Sequence, residues 1–168
     1  MDTMKSNIVV RKVIDSDVSG LVELFESIWP DISYNKKNKV NFVVLESTGI
    51  NYCASNGSDI VGSRLSIPIN FMYGSTPLKC IQLCDTCVRP EFRRMGLMTQ
   101  MNSQLIEDFF SDSEGRKIIW NVGVAASRSV NEKMGWQYLD CFKSLIKVVR
   151  PLRVFSKVGI NYRKLLGD

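Results

Sequence analysis

Two hydrophobic periods alternate along the chain and mark out its elements. Residues 8–14 form a β-branched run, which predicts a first strand. Val18, Leu21, Val22, Phe25 and Ile28 then recur at helical spacing. Asp15-Ser16-Asp17 supplies N-cap chemistry before them, and Pro30 ends the pattern. A weaker helical segment is expected over about 35–45. Residues 51–54 and 60–71 read as strands paired across Asn56-Gly57-Ser58-Asp59, with Pro68 implying an edge position or a bulge. Gly74-Ser75-Thr76-Pro77 predicts another turn, and 78–88 a central strand. Leu97, Met101, Leu105 and Phe109 share one helix face, and 117–122 read as a strand. A short helix over 127–134 is expected to end at Gly135, in the position of a left-handed cap, before one or two strands over 136–149. The order β-α-(α)-β-β-β-α-β-α-β implies an α/β fold, one sheet with helices on both faces.

Composition narrows this without naming a function. A chain of 168 residues, 45% hydrophobic and 23% charged, suits one globular domain. The expected division is a domain over 1–149 and a basic C-terminal tail over 150–168. No apolar run is long enough for a transmembrane segment, and the first residues lack a signal-peptide core, so a cytoplasmic protein is expected. Lysine and arginine number 22 against 17 acids, a net +5 that suits a polyanionic ligand. Nucleic acid is not expected as a partner, because aromatic and basic residues do not interleave. A homodimer stands among the expected assemblies.

The absence of histidine removes Ser-His and Cys-His nucleophile pairs and most zinc sites. Five cysteines without a secretory signal argue against a disulfide framework. Cys80, Cys84 and Cys87 lie in a predicted strand. Simple alternation sends Cys80 and Cys84 to one face and Cys87 to the other, so no metal site is expected there.

The chemistry concentrates in the stretch that runs from strand to basic glycine loop to helix. Arg93, Arg94 and Gly96 stand just before a helix that opens at about Leu97. The first turn of a helix presents unpaired N–H groups and a partial positive charge, where a pyrophosphate binds well. From the residues alone this is a candidate phosphate site, with a basic turn before a surface helix as the alternative.

The stretch 81–98 resembles the acyl-CoA motif of the GNAT superfamily of N-acyltransferases, in which a strand ending Val-x-Pro meets an Arg/Gln-x-x-Gly-x-Gly/Ala loop. Val88, Pro90, Arg93 and Gly96 fall at that spacing, and Met98 stands where the family has Gly or Ala. A core-facing Met98 is expected. Downstream, residues 124–136 are similar to the family's Asn-x-x-Ser…Tyr-x-Lys-x-Gly-Phe segment. Ser127, Glu132, Lys133, Gly135 and Trp136 match it, whereas Val124 and Asn131 replace the Asn and the Tyr.

The resemblance implies a mixed, mostly antiparallel sheet and the transfer of an acyl group from acetyl-CoA, or another acyl-CoA, to the amine of a small molecule. It implies that main-chain atoms of Thr86, Cys87 and Val88 pair with the pantetheine arm. Amides and side chains of Arg93, Arg94, Met95, Gly96, Leu97, Met98 and Thr99 would hold the pyrophosphate, with Ser127 and Asn131 completing the donor site. A backbone N–H near Cys87 and Val88 would stabilise the oxyanion. Asp85 is the leading candidate base and Glu46 a weaker one. Asn131 stands where the thiolate's proton donor usually is, and Tyr138 is a substitute. A catalytically silent acyl-CoA-binding module is the alternative. The basic, apolar stretch 150–166 reads as an amphipathic helix for a membrane surface or partner, or as packing against the domain. Relatives of this spacing run further, which implies that part of an acceptor site lies beyond this chain.

Overall fold

A computed structural model describes residues 7–111, 115, 117–122, 128 and 131–137. The elements described below belong to one compact unit, Met1–Gly135. Five strands, β1 (Ile8–Lys12), β2 (Tyr52–Asn56), β3 (Asp59–Tyr73), β4 (Thr76–Val88) and β5 (Lys117–Asn121), form one sheet in chain order. Neighbours are antiparallel except β4 and β5, which are parallel. A parallel pair needs a crossover, and helix α3 (Leu97–Phe110) provides it. Helices α1 (Val18–Ile28) and α2 (Lys36–Asn41) lie between β1 and β2 in the chain.

The first strand is shorter than the β-branched run. It ends at Lys12 because the Asp17 carboxylate accepts a hydrogen bond from the Ile14 N–H at 2.9 Å, turning the backbone into the helix entry. Asp17 also holds both Nη groups of Arg11, at 2.7 and 2.8 Å. Helix α1 buries Leu21, Leu24 and Phe25 completely, with Val18, Val22 and Ile28 packed beside them. Full burial of such side chains contributes roughly 1.5–3 kcal/mol each. The facing residues are Val40 and Val43 of the α2 region, with Cys53, Ile60, Leu65 and Cys87 of the sheet.

The predicted second helix is present. It is capped by Asn35, whose Oδ1 accepts from the Asn38 N–H, and it widens into one π turn, Phe42–Glu46. Asn51 ties this turn to the sheet. Its Nδ2 donates to the Val43 carbonyl at 3.1 Å, and its Oδ1 accepts from the Ser66 N–H at 2.8 Å. Strand β2 has ended by then, since its pairing with β3 stops at Tyr52 and Arg64. Pro68 lies further out, on the side of β3 that β2 no longer reaches, so its missing N–H costs no ladder bond.

The other face of the sheet carries α3. Its Leu97, Met101, Leu105 and Phe109 are buried, as their spacing predicts. Tyr52 donates to Asp108 of this helix at 2.6 Å, and Lys12 pairs with the same carboxylate at 2.8 Å. Met98 is only half-buried and is not part of the core, contrary to expectation. Gly135 has the left-handed φ of 82° expected of a helix terminator, behind helical residues 131–133. The expected strands over 138–149 and the basic tail lie outside the described residues. Among the described residues, no helix is long and apolar enough to cross a membrane.

Candidate active site

Strand β4 changes character halfway along. Lys79 to Leu83 pair with β3 on one side and β5 on the other. Beyond Leu83 and Asn121 the β5 pairing stops, so residues 84–88 keep only β3 as a neighbour strand. The register with β3 slips at the same place. Leu65 faces Cys84 and Ser63 faces Cys87, leaving Asp85 and Thr86 opposite Arg64 alone. This is a β-bulge, and Asp85 adopts φ 46° within it. Aspartate tolerates the left-handed region better than most residues do. The Ser63 hydroxyl donates to the displaced Asp85 carbonyl at 2.8 Å.

The extra residue reverses the side-chain alternation beyond it. Cys84 and Cys87 therefore pack against the same core beneath α1, and the expectation that Cys87 faces away from Cys84 is corrected. Burial pushes both thiols up, each to about 12, so neither is a ready nucleophile at neutral pH. No group of three Cys, Asp or Glu side chains that could hold a metal occurs among the described residues.

Asp85 lies under α2. Its Oδ1 accepts from Lys39 Nζ at 2.6 Å, while its Oδ2 is buried without a hydrogen-bond partner. Lys39 lies 4.9 Å from the centre of the Tyr34 ring. Burial works against the Lys39 charge, but the Asp85 carboxylate, with help from Tyr34, more than offsets it and raises the lysine above its ordinary value. The second carboxylate candidate, Glu46, is exposed at the end of the π turn. Asp85 is thus a carboxylate with one oxygen committed and the other enclosed.

The open edge of β4 presents backbone. Arg89 N–H is bonded to the Val61 carbonyl of β3 at 2.9 Å. Strand alternation then turns the N–H and carbonyl of Val88 the other way, with those of Thr86 two residues earlier. Arg93 Nε donates to this Val88 carbonyl at 3.1 Å, folding the loop back on the strand end.

Next comes the loop into α3. Arg94 has φ 64° and Gly96 has φ 75°, two left-handed residues within three. Gly96 takes this conformation without a Cβ penalty, whereas at Arg94 it is strained. The first helical bond runs from Gln100 N–H to the Gly96 carbonyl, and no side chain caps the helix. The N–H groups of Leu97, Met98 and Thr99 are therefore left for a ligand or solvent. Arg94 is exposed beside them, and the first turn contains no acid.

Asn131 is buried, with its Oδ1 unpartnered, one turn before Met134, whose Sδ accepts from Asn102 Nδ2 of α3 at 3.4 Å. Ser127 and Tyr138 lie outside the described residues. The structure thus joins Asp85, Thr86, Cys87 and Val88 to the loop from Arg93 to Thr99 through one continuous strand-to-helix turn. Sequence reading did not select Lys39, Tyr34 or Arg64. The first two meet Asp85 only through the tertiary fold. A basic residue amid the β3 run was the one available sign of Arg64.

Residues 9–139 match the family model of an acetyltransferase (GNAT) domain. A search of curated protein sequences finds no match. A predicted acetyltransferase from Clostridium acetobutylicum, solved with acetyl-CoA, is similar with a TM-score of 0.66 at 18% identity, over 83% of this chain and 96% of that one. An acetyltransferase from Trypanosoma brucei gives 0.63 at 18% identity, over 84% and 100%. The aminoglycoside N-acetyltransferase AAC(6')-Iy in complex with CoA gives 0.66 at 12% identity, over 88% and 99%. At such identities the likeness is one of fold.

Proposed function

The chain belongs to the GNAT acetyltransferase family, and from that premise we propose that it moves an acetyl or other short acyl group from acyl-CoA to the primary amine of a small molecule by direct attack. The observation that carries this is the uncapped N-terminus of α3 standing directly after the open edge of β4. One arrangement offers free N–H groups to a pyrophosphate and a strand edge to an amide-bearing arm.

In this reading the N–H groups from Arg94 to Thr99 take the pyrophosphate, with Arg93 and Arg94 adding charge and Met95, Gly96, Leu97 and Met98 forming the turn. Main-chain groups of Thr86, Cys87 and Val88 pair with pantetheine. Ser127 and Asn131 flank the thioester. The amine nitrogen attacks the thioester carbonyl, a backbone N–H such as that of Val88 stabilises the oxyanion, the C–S bond breaks, and CoA leaves as thiolate. Asp85 Oδ2 receives the amine's proton, while Lys39 keeps the other oxygen fixed. The thiolate takes a proton from Tyr138 or water, because the Asn131 amide has none to give. An amino sugar or an amino acid is the acceptor class, the former supported by the resemblance to an aminoglycoside N-acetyltransferase. Four free cysteines among the described residues suit a reducing, cytoplasmic setting.

Asn131 and the ion-paired Asp85 favour a second reading, a domain that binds acyl-CoA without turning it over. Acetyl-CoA at about 100 times its Kd is expected to stabilise the fold by about 2.7 kcal/mol, seen as a rise in melting temperature. No shift with acetyl-CoA, propionyl-CoA or CoA defeats both readings. Thiol release across a panel of amines then separates enzyme from silent binder.

A further inference from the structure

Arg64 lies at the centre of the sheet, opposite the bulge, and is 1% exposed. Such a charge normally has a counter-ion or a full set of acceptors. Here Nη1 donates to Thr86 Oγ1, but Nε and Nη2 are buried and have no partner at all. The two vacant donors are not scattered. They form one edge of the planar guanidinium, with parallel N–H bonds spaced to match the two oxygens of a carboxylate. Burial lowers the guanidinium pKa to about 10, yet it stays protonated at neutral pH.

The surroundings indicate where an acceptor would enter. Tyr52, the β2 partner of Arg64, faces α3, so Arg64 occupies that face and not the one bearing Asp85 and Lys39. Its guanidinium reaches Thr86, within the stretch of β4 from which β5 has parted. No acidic side chain among the described residues pairs with it. The geometry points to Arg64 as a carboxylate receptor in the acyl-CoA cleft, built to take the free carboxylate of a ligand bound along the open edge of β4.

That carboxylate has two sources. It can be the far end of a dicarboxylic acyl group on CoA, or the carboxylate of an amino-acid acceptor. The acyl chain starts at the thioester beside β4, so a four-carbon diacid thioester is the first probe. The inference rests on the acyl-CoA reading, and one titration series keeps the two apart. CoA, acetyl-CoA, butyryl-CoA and succinyl-CoA are titrated calorimetrically into the full chain. Butyryl-CoA matches succinyl-CoA in length and lacks the carboxylate. Succinyl-CoA is expected to bind at least about tenfold more tightly than butyryl-CoA, each good charge-assisted fork having at least that value. In Arg64→Met the difference should vanish, with affinity for CoA itself kept within about twofold. Arg64→Lys retains the charge without the fork and should keep only a small part of the preference.

For the second source, the CoA complex is heated with amino acids and with their decarboxylated amines. A melting shift given by the acids alone, and lost in Arg64→Met, places the carboxylate on the acceptor and equally supports the receptor. If CoA binds but neither comparison depends on a carboxylate, the receptor is overturned while the acyl-CoA reading stands. If no CoA species binds, both fall. The wild-type titrations decide even if a variant fails to fold.

Discussion

The two faces of the sheet treat charge in opposite ways. On the face under α1 and α2, Arg11 meets Asp17 through two bonds, and Asp85 meets Lys39. On the face under α3, Lys12, Asp108 and Tyr52 satisfy one another near the sheet edge, but Arg64 in the middle has only a hydroxyl. A buried ion supplied with its counter-ion by the fold is a structural part. A buried ion with a vacant edge costs stability and is retained where a ligand completes it. The contrast separates what holds this molecule together from what it holds for something else.

Three substitutions test the contrast. Lys39→Met leaves the Asp85 carboxylate enclosed without its cation and is expected to cost about 2 kcal/mol in urea unfolding, less than for a fully buried pair because Lys39 is partly exposed. Adding Asp85→Asn to that variant should recover most of the loss. If Lys39→Met is neutral, the face under α2 is not held by this pair.

Asp17→Asn should cost about 1.5 kcal/mol at neutral pH, through the charge-assisted bonds from Arg11. The effect has a pH signature. The Arg11 hydrogen bonds, with the Ile14 N–H, hold the Asp17 carboxyl below its ordinary value, although burial opposes them. A depressed folded-state value means stability that is present above the unfolded value, about 4, and is lost as pH falls through the lower folded value. The acid limb of the stability curve should therefore be shallower in Asp17→Asn than in wild type. An unchanged limb would falsify the assignment.

Arg64→Met should have the smallest effect and the opposite sign, neutral or stabilising by up to about 1 kcal/mol without ligand. A loss comparable to that of Lys39→Met would show that the fold already satisfies Arg64 and that its vacant edge has no use.

Much of this architecture is legible in the sequence, because local chemistry and tertiary outcome agree. The Asn-Gly-Ser-Asp turn closes β2 on β3, and the Leu97–Phe109 stripe becomes the buried face of α3. The basic loop is legible too, since Gly96 before an amphipathic helix specifies an uncapped start. Beyond that point the legible rule was a strict two-residue alternation, and Asp85 breaks it. Its position amid apolar neighbours marked it as unusual, but a carboxylate candidate and a left-handed bulge residue look the same in one dimension. Lys39 is 46 residues from Asp85, and Arg64 is 22 from Thr86, so no local period could bring either pair together. The candidate site was visible as a segment, whereas its electrostatics belonged to the fold.

The bulge also constrains how the chain can change. A strand is a two-letter rhythm, and at Asp85 one beat is repeated. Substituting a residue downstream alters one side chain, but removing a single residue between Leu83 and Val88 would restore the rhythm and invert everything after it. Thr86 would exchange sides with Cys87, Arg64 would lose its hydroxyl, and a thiol would be carried into the cleft. The length of this short segment is thus a stricter requirement than the identity of most residues in it.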